Sequence, residues 1–301
     1  MPRRLIDHIR SRIVGEEEPV KLVVSALLAG GHVLLNDVPG VGKTLMAKTL
    51  AQSIDGCFRR IQFSPDLLPG DITGINAYDQ QRGEFSFLPG PVFANVLLAD
   101  EINRASPRTQ SSLLEAMEEG WVTVDGTPHP LPRPFFVIAT QNPIEFHGTF
   151  PLPEAQLDRF SAFVSLGYPR PEEERKLLSG EWAREISLNP LQPVVGLEDL
   201  LEWQAKVRQV KVEESLQEYL VNVTQASRRH PGIALGISPR GSLIWQRMAQ
   251  AYAMIEDRSF VTPQDLKATA RATLCHRIVS LERTPKEQLV DSLLGTVPVP
   301  I

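Results

Sequence analysis

The sequence predicts an α/β protein: a parallel sheet with flanking helices in its first half, followed by a small all-α unit. Two observations predict this. Up to residue 166, short apolar β-rich runs alternate with stretches whose apolar residues recur at helical spacing, the pattern of parallel strands joined by covering helices. Beyond residue 171 only the helical spacing remains. Between them, Tyr168-Pro169-Arg170-Pro171 carries two prolines in four residues, which stop a strand, and Glu172, Glu173 and Glu174 suit the first turn of a new helix. The expected division is therefore 1–168 and 169–301, and a chain of 301 residues is long enough for two compact units.

In chain order, strands are expected over 32–36, 60–63, 96–99, 135–140 and 162–166, and helices over 19–29, 43–54, 109–119 and 154–159. Residues 74–78 and 84–87 read as a hairpin around 79–83. Residues 121–124 and 127–131 read as a second one around Asp125-Gly126, a favoured hairpin turn. The second half is expected to hold helices only, over 172–184, 197–207, 213–227, 238–255 and 262–279. Thr262 with Pro263 supplies an N-cap followed by proline at the first helical position. The tail from Thr284 is expected to be frayed.

Composition excludes several functions. The net charge is −5 and the isoelectric point about 5.8, so no broad positive field is available for non-specific binding to phosphate backbones. Nucleic acid is not the expected partner. The longest apolar stretch, 22–35, is broken by Gly30, Gly31 and His32 and is too short to span a bilayer, while residues 1–12 are charged and lack the apolar core of a signal peptide. Cys57 and Cys275 form no CxxC pair, which suits a reduced compartment, and a cytoplasmic location is expected. The histidines show no metal spacing, and His276-Arg277 is expected on a helix surface of the second unit.

Three strand ends carry the chemistry. Val33-Leu34-Leu35 runs into Asn36-Asp37-Val38-Pro39-Gly40-Val41-Gly42-Lys43-Thr44-Leu45, a glycine-bearing loop between a strand and a helix, which is the setting of a phosphate-binding P-loop. Such a loop turns successive N–H groups inward, Lys43 reaches the terminal phosphates of a nucleoside triphosphate, and Thr44 offers its hydroxyl to Mg²⁺. Asp37 stands where the motif has its first glycine; the expectation is that Asp enters unusual backbone regions readily enough for the turn to survive. Val96-Leu97-Leu98-Ala99-Asp100-Glu101 is an apolar run ending in two carboxylates. Adjacent strand residues point opposite ways, so Asp100 is expected to face Mg²⁺ and Glu101, at the strand exit, to turn toward an attacking water. Residues 136–140 lead to Gln141-Asn142-Pro143, where Asn142 either hydrogen-bonds the γ-phosphate or the water, or is simply a turn residue before proline.

The order of these motifs resembles an AAA+ ATPase. Leu98-Ala99-Asp100-Glu101-Ile102-Asn103-Arg104-Ala105, residues 110–119, and Leu152-Pro153-Glu154-Ala155-Gln156-Leu157-Asp158-Arg159-Phe160 resemble its MoxR branch, and the likeness runs from Ile13-Val14-Gly15 through Val261-Thr262-Pro263 to His276-Arg277. The resemblance implies ATP and Mg²⁺ as ligands and catalysis involving Lys43 and Glu101. It further implies that Ile13 and Val14 lie against adenine and that Asn142 is the first sensor. By the same likeness Arg159 is an arginine finger offered to a neighbouring subunit, and Arg240, in Ser238-Pro239-Arg240-Gly241, is the second sensor from the lid. Side-chain chemistry alone would read Arg159 and Arg240 as ordinary helix-end arginines. The resemblance implies a homo-oligomeric, hexameric ring that remodels or matures a protein client in a chaperone-like way. Its partner would include a protein with a von Willebrand factor A domain, and its hairpins would move with nucleotide state. A nucleic-acid motor is the alternative, opposed by the low isoelectric point and by Asp125 on the hairpin; a nucleotide-gated scaffold without turnover is opposed by Glu101 beside Asp100.

Overall fold

The computed structural model describes residues 2–81, 83–142, 148–180, 182, 184, 191–282 and 284–300. Pro143 of the expected Asn142 motif, Arg82 in the first hairpin loop, and Glu181 and Ala183 in the expected helix 172–184 lie outside the described residues. The first unit runs α1 (Pro2–Arg10), α2 (Glu17–Leu28), β1 (Val33–Asn36), α3 (Lys43–Ser53), β2 (Phe58–Gln62), α4 (Pro69–Thr73), β3 (Gly74–Asp79), β4 (Glu84–Pro89), β5 (Val96–Asp100), α5 (Pro107–Glu119), β6 (Trp121–Val124), β7 (Thr127–Pro130), β8 (Phe136–Gln141), α6 (Glu154–Leu157) and β9 (Ala162–Val164).

Five of these strands form one parallel sheet in the order β2-β5-β8-β1-β9. In β1, β5 and β8 every residue is buried except the last, so both faces are covered and the strands read as continuous apolar runs instead of alternating. The partly exposed last residues, Asn36, Asp100 and Gln141, all fall on the carboxyl edge of the sheet. That edge is where an open parallel sheet presents polar groups to a ligand. β2 lies at the sheet's rim and keeps Arg59, Arg60 and Gln62 in solvent, a common protection for an edge strand.

Both expected hairpins form. β3 pairs with β4 from Gly74↔Pro89 to Asp79↔Glu84, and β6 pairs with β7 across Asp125 and Gly126. The φ angles of 48° and 79° at that turn suit the right-handed twist of the ribbon. The hairpins lean on one another: Asn76 Nδ2 donates to Asp125 Oδ2 at 2.8 Å, and the Phe87 and His129 rings stack with centroids 3.8 Å apart.

The charged start of the chain is a helix. α1 places Leu5, Ile6 and Ile9 on one side, and these fully buried residues pack on α2 and α3.

The second unit runs α7 (Pro171–Leu178), α8 (Leu197–Val207), α9 (Glu214–Arg229), β10 (Ile233–Leu235), α10 (Pro239–Ile255), α11 (Pro263–Leu274), β11 (Val279–Ser280) and α12 (Lys286–Thr296). The unit is helical, with one addition: β10 and β11 pair antiparallel, and strands of three and two residues are too short to leave an alternating signature. Two expectations need correction here. The tail is not frayed: α12 buries Leu289, Val290 and Leu293 in the same core as Tyr219, Leu220 and Val223 of α9. His276 and Arg277 are not on a helix surface. α11 stops at Leu274, and a 3₁₀ turn over Cys275–Arg277 directs both side chains inward, leaving them 4% and 5% exposed.

Arg277 is what the second unit presents to the first. Its Nε donates to Asp158 Oδ1 at 2.7 Å and one terminal nitrogen donates to the Phe160 carbonyl at 2.6 Å, while the other donates to the Thr273 carbonyl. Burial pulls its pKa down to about 10, opposed by Asp158, and it stays charged at neutral pH. The apolar core also crosses position 168: Leu200, Val207, Met248, Ala251 and Ile255 belong to one cluster with Val20, Val24 and Leu27 of α2. At its rim Lys21 Nζ donates to Glu256 at 2.7 Å. No described helix is long and apolar enough to cross a membrane.

Leu293→Ala tests the packed tail. Truncating a fully buried leucine costs about 2–5 kcal/mol, so the urea unfolding midpoint should fall clearly below that of the parent; an unchanged midpoint would mean that α12 contributes nothing to the core.

Candidate active site

The loop after β1 is shaped for an anion. Gly40 and Gly42 have φ of 90° and 94°, a region that costs glycine little and turns backbone N–H groups toward one side. Gly42 caps α3 without any side-chain bond, so the first N–H groups of that helix lack intrahelical partners and face the same side. Lys43 Nζ donates to the Asp37 carbonyl at 2.7 Å, which folds the ammonium back over the loop.

Asp37 behaves differently from the expectation. It is not among the residues with positive φ, so the loop does not need an unusual conformation there. Its buried carboxylate instead accepts from Ser165 Oγ at 2.6 Å, Leu166 N at 2.8 Å and Gly167 N at 3.2 Å. The residue in the glycine position thus ties the loop to the segment that leaves β9.

A recess of about 460 Å³ opens at the carboxyl edge of the sheet. Pro39, Gly40, Gly42, Lys43, Thr44 and Leu45 form one wall, and Asp100, Glu101 and Asn142 form the other with Arg60 and Gln62 of β2. Asp100 and Glu101 both face it although they are neighbours. The alternation of a strand ends at Asp100, and Glu101 has a left-handed backbone (φ 57°, ψ 50°), a costly state for a non-glycine residue that re-aims its side chain. Thr140 holds this corner: its hydroxyl donates to Asp100 Oδ1 at 2.7 Å and accepts from Glu101 N at 2.9 Å. Arg60 donates to Asp100 Oδ2 and Gln62 to Glu101 Oε2, each at 2.7 Å. A threonine hydroxyl and a carboxylate in one pocket are hard oxygen donors, the set that suits Mg²⁺ held jointly by protein, water and phosphate.

Val41, Ile13, Val14, Arg159 and Arg240 do not line this recess. Val41 and Ile13 are partly buried against the main core. Arg159 and Arg240 meet in a second recess, of about 350 Å³, whose walls include Gly30, Gly31 and His32 before β1 and Ser161 before β9. It therefore lies at the amino ends of strands whose carboxyl ends carry the phosphate loop. The four residues of β1 alone separate the two by about 13 Å, more than an arginine side chain spans.

In the second recess Arg159 Nε lies 3.1 Å from Glu118 Oε2, and Arg240 donates to Glu118 Oε1 at 2.5 Å. The hydrogen bond from Arg240, with the charges of both arginines, holds the Glu118 carboxyl below the usual carboxylate range against the opposing effect of burial. The adjacent residue, Met117, is anchored by His32. Val137 N donates to His32 Nδ1 at 3.0 Å, so the proton sits on Nε2 and is donated to the Met117 carbonyl at 3.1 Å. Complete burial pushes the His32 pKa down to about 4, and the ring is neutral.

Four residues of these sites escaped the sequence reading. Arg60 and Gln62 carried a signal, since they are two apart on a strand and share a face. Thr140 and Glu118 carried none, because their roles depend on contacts between distant segments.

Comparison with known proteins gives a consistent result. A family profile described as the ATPase family associated with various cellular activities (AAA) matches residues 32–162, and one described as an AAA lid domain matches residues 225–293. The chain is 48% identical over 303 residues to the uncharacterised protein YeaC of Bacillus subtilis, covering 99% of this chain and 94% of the relative. It is 41% identical over 311 residues to Chaperone MoxR1 of Mycobacterium tuberculosis, covering 99% of this chain and 82% of the relative. A crystal structure from Cytophaga hutchinsonii superposes with a TM-score of 0.90 at 37% identity, covering 99% of this chain and 94% of that one.

Two measurements test the site. Lys43→Ala removes a charge-assisted contact worth about 1.5–3 kcal/mol, so affinity for a fluorescent nucleoside triphosphate should fall roughly ten- to hundredfold; unchanged affinity would refute the phosphate loop. For His32, the folded pKa lies below the unfolded one. The neutral ring therefore stabilises the fold fully above pH 6.5, and this contribution, about 3 kcal/mol, is lost as pH falls toward 4. His32→Gln should lose less stability than the parent between pH 7 and 4.5 in urea titrations, and parallel losses would contradict the assignment.

Proposed function

From the premise that this chain belongs to the MoxR family of AAA+ ATPases, we propose that it hydrolyses ATP between two copies of itself. One copy supplies the phosphate-loop recess and the next supplies the arginines, and the copies close into a hexameric ring. What carries this reading is the separation of Arg159 from its own phosphate loop by the length of β1. A finger at one end of the sheet and a nucleotide site at the other can work together only between molecules. A head-to-tail contact of that kind repeats from copy to copy and gives a ring when its rotation closes.

Within the composite site, Lys43 and the N–H groups of residues 40–45 hold the β- and γ-phosphates, with Ile13 and Val14 against the adenine. Glu101 orients the attacking water and takes up its proton, and Gln62 fixes that carboxylate through its amide. Asn142 acts as the first sensor from the end of β8. Mg²⁺, held by Thr44 and Asp100, neutralises charge on the phosphate oxygens when bound. Arg159 stabilises the charge that develops on the γ-phosphate of the neighbour's nucleotide, and Arg240 acts beside it as the second sensor because it shares the same recess.

The output is chaperone-like remodelling of a protein client, the role that the name of the relative MoxR1 suggests, with a protein bearing a von Willebrand factor A domain as a partner. The two hairpins suit a client contact: Tyr78, Phe85, Leu88 and Trp121 are exposed on them. Free thiols at Cys57 and Cys275 suit a cytoplasmic setting.

Mixing separates this reading from a monomeric one. Arg159→Ala should bind ATP almost normally yet turn over slowly, by on the order of a thousandfold, and Lys43→Ala should also be nearly inactive. In a mixture, an intact loop can face an intact finger. Recovery of ATPase activity on mixing, and specific activity of the parent that rises with protein concentration, are the expected outcomes. Normal turnover by Arg159→Ala, or a parent fully active at high dilution, would overturn the ring.

A further inference from the structure

Among the described residues, the second recess is lined by three arginines, Arg159, Arg240 and Arg247, and one carboxylate, Glu118. Three guanidiniums against one carboxylate leave an excess of two positive charges, and His32 adds none because its ring is neutral. The backbones that carry the two arginines bound to Glu118 are fixed by a single side chain. Asp158, directly before Arg159, accepts from Arg277 through one oxygen and from Ser238 Oγ at 2.9 Å through the other. Ser238, two residues before Arg240, in turn caps α10 by accepting from Gly241 N at 3.0 Å.

Glu118 sits on an equally fixed support, since His32 pins the last turn of α5 through Met117. The three supports are rigid, whereas the three charged side chains are partly exposed: 29% for Arg159, 34% for Glu118 and 44% for Arg240. Each arginine takes a different oxygen of the carboxylate, so the guanidiniums are spaced as they would be on two oxygens of one phosphate.

We infer that Glu118 is a positioning residue that occupies, in the single subunit, the place of an oligophosphate anion in this arginine recess. It keeps Arg159 and Arg240 side by side and turned into the recess, and it is displaced when a polyphosphate enters. The inference rests on the proposed trans role of Arg159 for its biological meaning, because that role identifies the anion as the phosphate end of the next copy's nucleotide. The recess itself can be tested on the single chain. The displacement also costs something: an oligophosphate must compete with a charge-assisted contact already in place, so Glu118 weakens the anion site while it organises it.

The experiment uses inorganic tripolyphosphate as the probe, in a Lys43→Ala background that disables the phosphate loop, with binding read by calorimetry. Adding Glu118→Gln, which keeps the shape and removes the charge, should tighten tripolyphosphate binding by roughly three- to thirtyfold. Adding Arg159→Ala as well should abolish that gain, and Glu118→Asp should behave like the parent or lie between the two. In a protein with an intact loop, Glu118→Gln should lower the protein concentration needed for half-maximal specific activity, while the unfolding midpoint stays put. Equal tripolyphosphate affinity with and without Glu118→Gln would overturn the inference, as would a gain that survives Arg159→Ala. Failure of the ring reading has a separate signature, namely no activity on mixing Arg159→Ala with Lys43→Ala while the tripolyphosphate result holds.

Discussion

The pair between buried Arg277 and half-buried Asp158 is the constraint on which the relation of the two units depends. A guanidinium whose side chain is 1% exposed is costly to desolvate, and it persists here because Asp158 and three backbone carbonyls, those of Asp158, Phe160 and Thr273, consume its donors. Satisfying one buried charge thereby fixes the start of β9, the 3₁₀ turn after α11 and, through Ser238, the start of α10. Arg159 and Arg240 stand beside these fixed points. Their convergence on Glu118 follows from how the second unit is seated, and a looser seating would leave two long side chains with no common direction.

The carboxyl edge of the sheet is governed by a different economy of contacts. β1, β5 and β8 are apolar until their last residue, so polar groups emerge only at one rim, and the loops after these strands bring Lys43, Asp100, Glu101 and Asn142 to one recess. The left-handed backbone at Glu101 is strained, and Thr140 stabilises it by accepting the Glu101 N–H while bonding Asp100. Arg60 and Gln62 supply further contacts from the neighbouring strand. Both oxygens of Asp100 and Oε2 of Glu101 are thus already oriented by residues outside the motifs.

Much of this was legible in the sequence, and the reason differs by level. β1, β5 and β8 could be read because buried parallel strands are continuous apolar runs, and the hairpin turn because Asp125-Gly126 favours positive φ at both positions. Lys43, Asp100, Glu101 and Asn142 of the phosphate recess could be read because each lies at or just past the end of its strand, whereas Arg60 and Gln62 join it from a neighbouring strand. What was hidden depends on distance along the chain. His276-Arg277 looks like a surface pair until Asp158, more than a hundred residues earlier, is brought against it. α12 looked like a tail because its apolar residues, Leu289, Val290 and Leu293, are few and acquire meaning only against α9. Asp37 looked like a damaged glycine position, and its role appears only once the chain leaving β9 lies beside it. Ser238 and Arg240 are adjacent to a helix start, where capping is expected, yet nothing local says that the cap also bonds Asp158.

The two recesses face different molecules in the proposed ring, but one helix joins them. α5 begins just after the 3₁₀ turn that follows Glu101, and Gln110 in its second turn directs its amide at the carbonyls of Ile102, Ala105 and Phe150. It ends at Glu118 and Glu119, and Gly120 then leads into β6. Its 13 residues span about 20 Å. A helix of that length moves as a unit because its hydrogen bonds resist stretching, so the turn that follows Glu101 and the carboxylate that bonds Arg159 and Arg240 lie at the two ends of a single rigid element. The hairpin carrying Trp121 extends from the same end as Glu118. In the proposed ring, the turn after Glu101, the arginine-bearing recess and the hairpin carrying Trp121 are therefore all reached from α5.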